Sequence, residues 1–254
     1  MKRRKAGIGI FVIVLIITAV RVKSMDSHRI SGRILAENIA GPGMLRLVEQ
    51  SMQARIRKAS VAEIAVKERK HPQAALTFDD GPDIRYTPLL LDGLKERNVR
   101  ASFFLLGEKV EQYPELVERM QKEGHLVGNH TYHHVQLNKL NETKAREEIL
   151  KTNNLIYETT GVYPLYLRPP FGAWKKNLEL CVEMLPVFWT IDTLDWKVQN
   201  TEKIVHTVQE QIEDGAIILM HDEYDTSVEA ALQVVDELKS QGYELVTVDQ
   251  LILP

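Results

Sequence analysis

A chain of 254 residues with one cysteine, Cys181, has no internal disulfide framework and no thiolate cluster for zinc. Cys181 itself reads as a small buried hydrophobe. An excess of charge of one sign is also missing. Lys and Arg number 32 against 35 Asp and Glu, so no basic field marks a nucleic-acid binder, and nucleic acid is not expected as a partner. No glycine-rich phosphate loop follows the first strand-like run, which argues against a dinucleotide-binding sheet. What remains, 44% hydrophobic and 26% charged, is ordinary globular composition with length enough for one sizeable core.

Long apolar runs are absent except at the start. Lys2-Arg3-Arg4-Lys5 precede an uncharged stretch from Ala6 to Val20, and Arg21 and Lys23 follow it. A helix of that length spans roughly 22 Å against a hydrocarbon core of ~30 Å, so the flanking Lys and Arg would have to snorkel. No small-x-small cleavage site follows, since Thr18-Ala19-Val20-Arg21 fits one poorly. Residues 1–23 are therefore expected to be a signal-anchor rather than a cleaved signal peptide. The heavier basic flank places the N-terminus in the cytoplasm and the rest outside, in a single-pass arrangement whose alternative is secretion after cleavage. Residues 24–70 carry Leu45, Val48, Met52 and Ile56 at helical spacing and read as a stalk with one amphipathic helix.

From residue 71 to 254 short apolar runs alternate with helical patterns: 73–78, 100–105, 125–128, 165–168, 186–191, 216–220 and 243–246. One of the helices carries Val228, Leu232, Val235 and Leu238, with Thr226 and Glu229 at capping-box spacing. Repeated strand-helix units imply an α/β fold with a parallel sheet, and about seven of them predict a distorted (β/α) barrel. Five polar clusters stop these runs: Thr77-Phe78-Asp79-Asp80-Gly81-Pro82, His130-Thr131-Tyr132-His133-His134, Arg168-Pro169-Pro170-Phe171-Gly172, Asp192-Thr193-Leu194-Asp195-Trp196 and Leu219-Met220-His221. They fall at the carboxyl ends of the first, third, fourth, fifth and sixth strands, the face on which parallel α/β barrels carry their active sites.

His130 and His134 on one helical turn would have Cβ atoms ~6 Å apart and could reach one cation at about 2.1 Å, with His133 pointing elsewhere. The pair needs an anionic third ligand. Asp79-Asp80-Gly81-Pro82 can supply it, although Asp, Gly and Pro equally favour a turn after a strand. With Arg168 at the same rim a division of labour follows, in which one Asp binds metal and the other pairs with Arg168 as an ionised base. His221, ending a very apolar run, reads alone as a buried core histidine, but Asp195 can fix its tautomer and raise its pKa, which suits a general acid. Trp196 offers a flat face to a sugar ring, or is core filler.

In this order the five clusters resemble the motifs of the polysaccharide deacetylase family, the carbohydrate esterases of family 4, over about residues 72 to 251. The resemblance implies a distorted barrel, a divalent metal (zinc, with cobalt, nickel or manganese as alternatives) and a hydrolase that removes acetyl groups from a polysaccharide substrate. It implies Asp79 as base, Asp80, His130 and His134 as ligands, Arg168 paired with the base, and Asp195 orienting His221, the acid. It also puts the backbone N–H of Phe171, where tyrosine is frequent, on the oxyanion; Gly172, which lets backbone approach a ligand closely, and Trp196 are expected beside the substrate. An extracytoplasmic domain on a short stalk reaches the wall, so N-deacetylation of peptidoglycan is the expected reaction. Chitooligosaccharide N-deacetylation and xylan O-deacetylation are its alternatives. Two readings from other classes are a membrane-tethered glycan-binding protein without catalysis and a non-haem iron oxygenase, whose two-histidine, one-carboxylate ligation needs neither a second aspartate nor an Asp-supported histidine. The motifs specify neither the acetylated polymer nor the oligomeric state.

Overall fold

Six of the seven residues of Gln73–Asp79 (β1) are buried, the pattern of a strand paired on both edges and covered on both faces. The structure, a computed structural model, describes residues 71–174 and 184–252. The apolar N-terminal run, the stalk and Cys181 lie outside the described residues.

After β1 come Ser102–Leu105 (β2), Leu126–Asn129 (β3), Tyr166–Leu167 (β4), Leu185–Pro186 (β5), Ile191–Asp192 (β6), Ala216–His221 (β7) and Glu244–Leu245 (β8). All pairings are parallel in the order β5-β4-β3-β2-β1-β7-β6, and β8 pairs with the start of β1. This is the cyclic order of a (β/α) barrel, opened between β5 and β6, and the expected fold class holds. The connecting helices are Tyr86–Glu96 (α1), Gly107–Gln112 (α2), Pro114–Lys122 (α3), Glu142–Thr160 (α4), Asp195–Val198 (α5), Thr201–Gln211 (α6), Asp225–Ser240 (α7) and Val248–Ile252 (α8).

The run expected as one strand over 186–191 is two short ones. Val187 N–H donates to Leu167 O at 2.8 Å on the β4 side, and Thr190 N–H donates to Ile217 O at 2.9 Å on the β7 side. Phe188 and Trp189 cross between the two, so the segment changes partners and joins the sheet's two edges by chain continuity instead of a ladder. The expected capping box also fails. Helix α7 begins at Asp225, which leaves Thr226 inside the first turn with its hydroxyl unbonded, and the Glu229 carboxylate accepts from Thr201 Oγ1 at 3.0 Å.

Strand alternation sorts the residues of β1. Ala74, Leu76 and Phe78 enter the main core with Leu90, Leu91 and Leu94 of α1 and Val234, Val235 and Leu238 of α7. Ala75 faces the barrel interior with Phe104, Tyr166, Val187 and Val248. Thr77 and Asp79 continue that inner row, so it turns polar towards the carboxyl end. Parallel register sets Asp79 beside His221 of β7 and, on the other edge, beside Phe104 of β2. Asp79 and His221 therefore come from neighbouring strand ends.

Candidate active site

Arg168 follows β4 and is wholly buried. It lies beneath the rim where the sequence reading set it. Its Nη1 donates to Asp79 Oδ1 at 2.8 Å and to Thr77 Oγ1 at 2.7 Å, and its guanidinium lies 4.3 Å from the centre of the Phe104 ring. Thr77 in turn donates to Ile218 O at 2.7 Å, so the inner row of β1 fixes the arginine. Burial pushes the Asp79 carboxyl above the ordinary aspartate range, against the opposing pull of Arg168, His221 and His134. The carboxylate is thus positioned by a cation yet more basic than a free one.

The histidine pair does not sit on a helical turn. Residues 130–136 form a loop in which Thr131 and His134 adopt left-handed backbone, φ +67° and +55°. Side chains supply what helical periodicity would have. Asn129 Oδ1 accepts from Thr131 N at 2.7 Å, and Glu148 Oε2, reaching from α4, accepts from the N–H groups of Tyr132 at 3.0 Å and His133 at 2.9 Å. His133 turns to solvent and bonds Glu148 Oε1 through Nδ1 at 2.8 Å, away from the site as expected. His130 Nδ1 donates to Arg168 O at 2.6 Å, which fixes the tautomer that leaves Nε2 free. Burial lowers His130 to about 3, so it stays neutral.

Asp80, itself at φ +68°, turns into the mouth. Its Oδ1 lies 3.4 Å from Nε2 of His130 and 3.4 Å from Nε2 of His134. That separation is the edge, about 3.4 Å, of a tetrahedron built on ligand bonds of about 2.1 Å. Oδ1 is buried and makes no hydrogen bond among the described residues, so the residues present fit a divalent cation and leave one acceptor in want of it. Asp79 Oδ2 stands 3.7 Å from His130 Nε2, beside the triad.

Across the mouth, Asp195 begins α5 completely buried and accepts twice from one residue: from His221 Nδ1 at 2.7 Å and from His221 N at 2.7 Å. Nε2 of His221 then faces the site, 3.9 Å from Asp80 Oδ2. Burial disfavours the imidazolium, but the Asp195 hydrogen bond and the charges of Asp195, Asp79 and Asp80 outweigh it and raise His221 to about 9. Phe171 is 62% exposed in a left-handed turn at φ +60°, its ring 4.5 Å from that of His134, and Gly172 follows at φ +62°. Trp196, next to Asp195, is 49% exposed and so is not core filler. The sequence motifs assign no role to Thr77, Asn129 or Glu148; of these, Thr77 is legible from the alternation of β1.

The polysaccharide deacetylase model matches residues 66–187. The peptidoglycan-N-acetylglucosamine deacetylase PgdA of Listeria monocytogenes is 43% identical over 185 residues, 73% of this chain and 40% of that one, so the chain spans well under half of that relative. A peptidoglycan-N-acetylglucosamine deacetylase of Bacillus cereus is 40% identical over 186 residues, covering 70% of this chain and 68% of its own length. The solved structure of the peptidoglycan deacetylase PdaC from Bacillus subtilis superposes with a TM-score of 0.70 at 42% identity, over 72% of this chain and 91% of that one. The chain belongs to the polysaccharide deacetylase family.

Proposed function

We propose that this protein is a metal-dependent hydrolase that removes N-acetyl groups from the glycan strands of cell-wall peptidoglycan. The observation that carries the reading is the juxtaposition at one barrel mouth of an arginine-held Asp79, the Asp80–His130–His134 triangle and the Asp195–His221 pair. Asp80, His130 and His134 would hold a divalent cation, with zinc favoured by the nitrogen-rich donor set, and when bound it supplies Lewis acidity to the water and the acetyl carbonyl. Asp79 takes the proton from the attacking water, and Arg168 fixes its oxygen for the transfer. The Phe171 N–H donates to the oxyanion. The C–N bond breaks as His221 Nε2 gives its proton to the departing nitrogen, and Asp195 stabilises the imidazolium before that step. Acetate and an amino sugar result.

The polymer is argued from the relatives, several of which are named for N-acetylglucosamine or N-acetylmuramic acid residues of peptidoglycan. The exposed face of Trp196 suits a sugar ring of an extended chain. The basic-then-apolar N-terminus supports tethering at the membrane, with the catalytic domain on the wall side. Acetate release from purified peptidoglycan, chitooligosaccharide and acetylated xylan tests the assignment. Peptidoglycan should be the best substrate; release from the other two alone would remove the wall from the account.

A further inference from the structure

Asp222 directly follows the acid His221, yet it points away from the chemistry and is fully buried. Its carboxylate lies against the backbone of Gly81, the residue after the ligand Asp80. A methyl group added to Gly81 would overlap the Asp222 oxygens, with Oδ2 at 2.8 Å, so only glycine fits opposite this aspartate. Asp222 Oδ2 accepts a hydrogen bond from the hydroxyl of Thr87, and the same hydroxyl oxygen accepts from Asp83 N–H at 2.7 Å. Thr87 N–H returns a bond to Asp83 O at 3.1 Å, Asp83 Oδ1 accepts from Arg85 N at 2.8 Å and Tyr86 N at 3.0 Å, and Gly81 O accepts from Leu106 N at 3.2 Å. The turn of residues 80–83 is thus fastened to β7 on one side and to α1 on the other.

That fastening matters because, among the described residues, Asp80 Oδ1 has no hydrogen bond of its own to aim it. Its direction rests on a backbone held at φ +68°, a region costly for a residue with a Cβ unless its surroundings impose it. We propose that Asp222, acting through Thr87, is a positioning residue that holds the Asp80–Asp83 turn in the shape that presents Asp80 to the metal. Nothing in the proposed chemistry uses Asp222, and its second oxygen is buried without a hydrogen bond among the described residues. A buried acceptor left in that state costs stability. This inference rests on the metal-site reading of Asp80, His130 and His134.

The test measures Co²⁺ affinity and the visible absorption of the Co²⁺ form in the full-length protein, with thermal unfolding of the metal-free form as a check on folding. Thr87→Val removes both hydrogen bonds at nearly constant volume, and Asp222→Ala removes the carboxylate that accepts from Thr87. Both should weaken Co²⁺ binding by about 10- to 100-fold, the usual effect of losing an outer-shell partner, and shift the absorption bands. Thr87→Ser, which keeps the hydroxyl, should restore affinity and spectrum together. Thr87→Val and Asp222→Ala binding within about two-fold of the parent with unchanged spectra, while His130→Ala loses the metal, would overturn the positioning role alone. Undiminished Co²⁺ binding by His130→Ala would overturn the metal site and this inference with it.

Discussion

At the scale of single residues the account rests on three neighbouring carboxylates given different work by their surroundings. Asp79 is held by a buried arginine, Asp80 faces two imidazoles with a bare oxygen, and Asp195 spends both oxygens on one histidine. Asp80→Ala, His130→Ala and His134→Ala should therefore lose metal, because each removes one of three protein ligands. Asp79→Asn should keep the metal and lose turnover by ~10²-fold or more. Metal content and acetate release measured on the same preparations decide this, and full occupancy in His130→Ala would contradict it. The acid carries a pH signature. His221 is held protonated up to about 9, against an ordinary value of 6.5, so activity that needs its proton falls as pH rises through about 9. Asp195→Asn removes the partner that contributes most to that rise and should move the alkaline limb towards 6.5 in a profile of kcat/KM. The sign is the same for stability. The pair's contribution is complete below about 6.5 and is lost as pH climbs through about 9. Coincident alkaline limbs for the parent and Asp195→Asn would contradict the assignment of His221 as acid.

At the scale of elements, the strands that carry the site were legible because their inner rows end in residues that a buried strand cannot otherwise accommodate. Asp79 at the end of β1 and His221 at the end of β7 close largely apolar runs, and register makes them adjacent. The loop that brings His130 to His134 was not legible. A spacing of four suggests a helical turn, whereas the bonds that override it come from Asn129 and from Glu148 of α4, which lies 15 residues from His133 in sequence. The split of the 186–191 run was hidden for a similar reason, since its two ends answer to different strands. Arg168 shows how far packing reaches beyond its own segment. Its guanidinium rests on Phe104, and the Phe104 ring occupies the space left by the missing side chain of Gly128 on β3, where a Cβ would lie 2.7 Å from Phe104 Cδ1 and 3.1 Å from Tyr166 O. Gly128→Ala should cost about 1–3 kcal/mol by overpacking and lower turnover by displacing the Arg168–Asp79 pair. Chemical denaturation and acetate release measure the two effects. A variant of parental stability and activity would mean that Phe104 does not brace the arginine.

At the scale of the whole molecule, an open barrel of parallel strands gathers five sequence clusters at one mouth, and on the proposed function the basic-then-apolar N-terminus would tether the chain at a membrane. The full-length protein should fractionate with membranes and retain Met1 or Lys2 at its N-terminus; a mature protein beginning after Val20 would indicate cleavage instead. The central claim is that this mouth deacetylates peptidoglycan by means of a metal held by Asp80, His130 and His134. Its most direct test is mass spectrometry of muropeptides from purified wall treated with the metal-loaded full-length protein and, in parallel, with the metal-loaded His130→Ala variant. The account predicts muropeptides lacking one acetyl group per modified sugar with the parent and intact muropeptides with the variant. Fully acetylated muropeptides from the parent, or equal deacetylation by the variant, would contradict it.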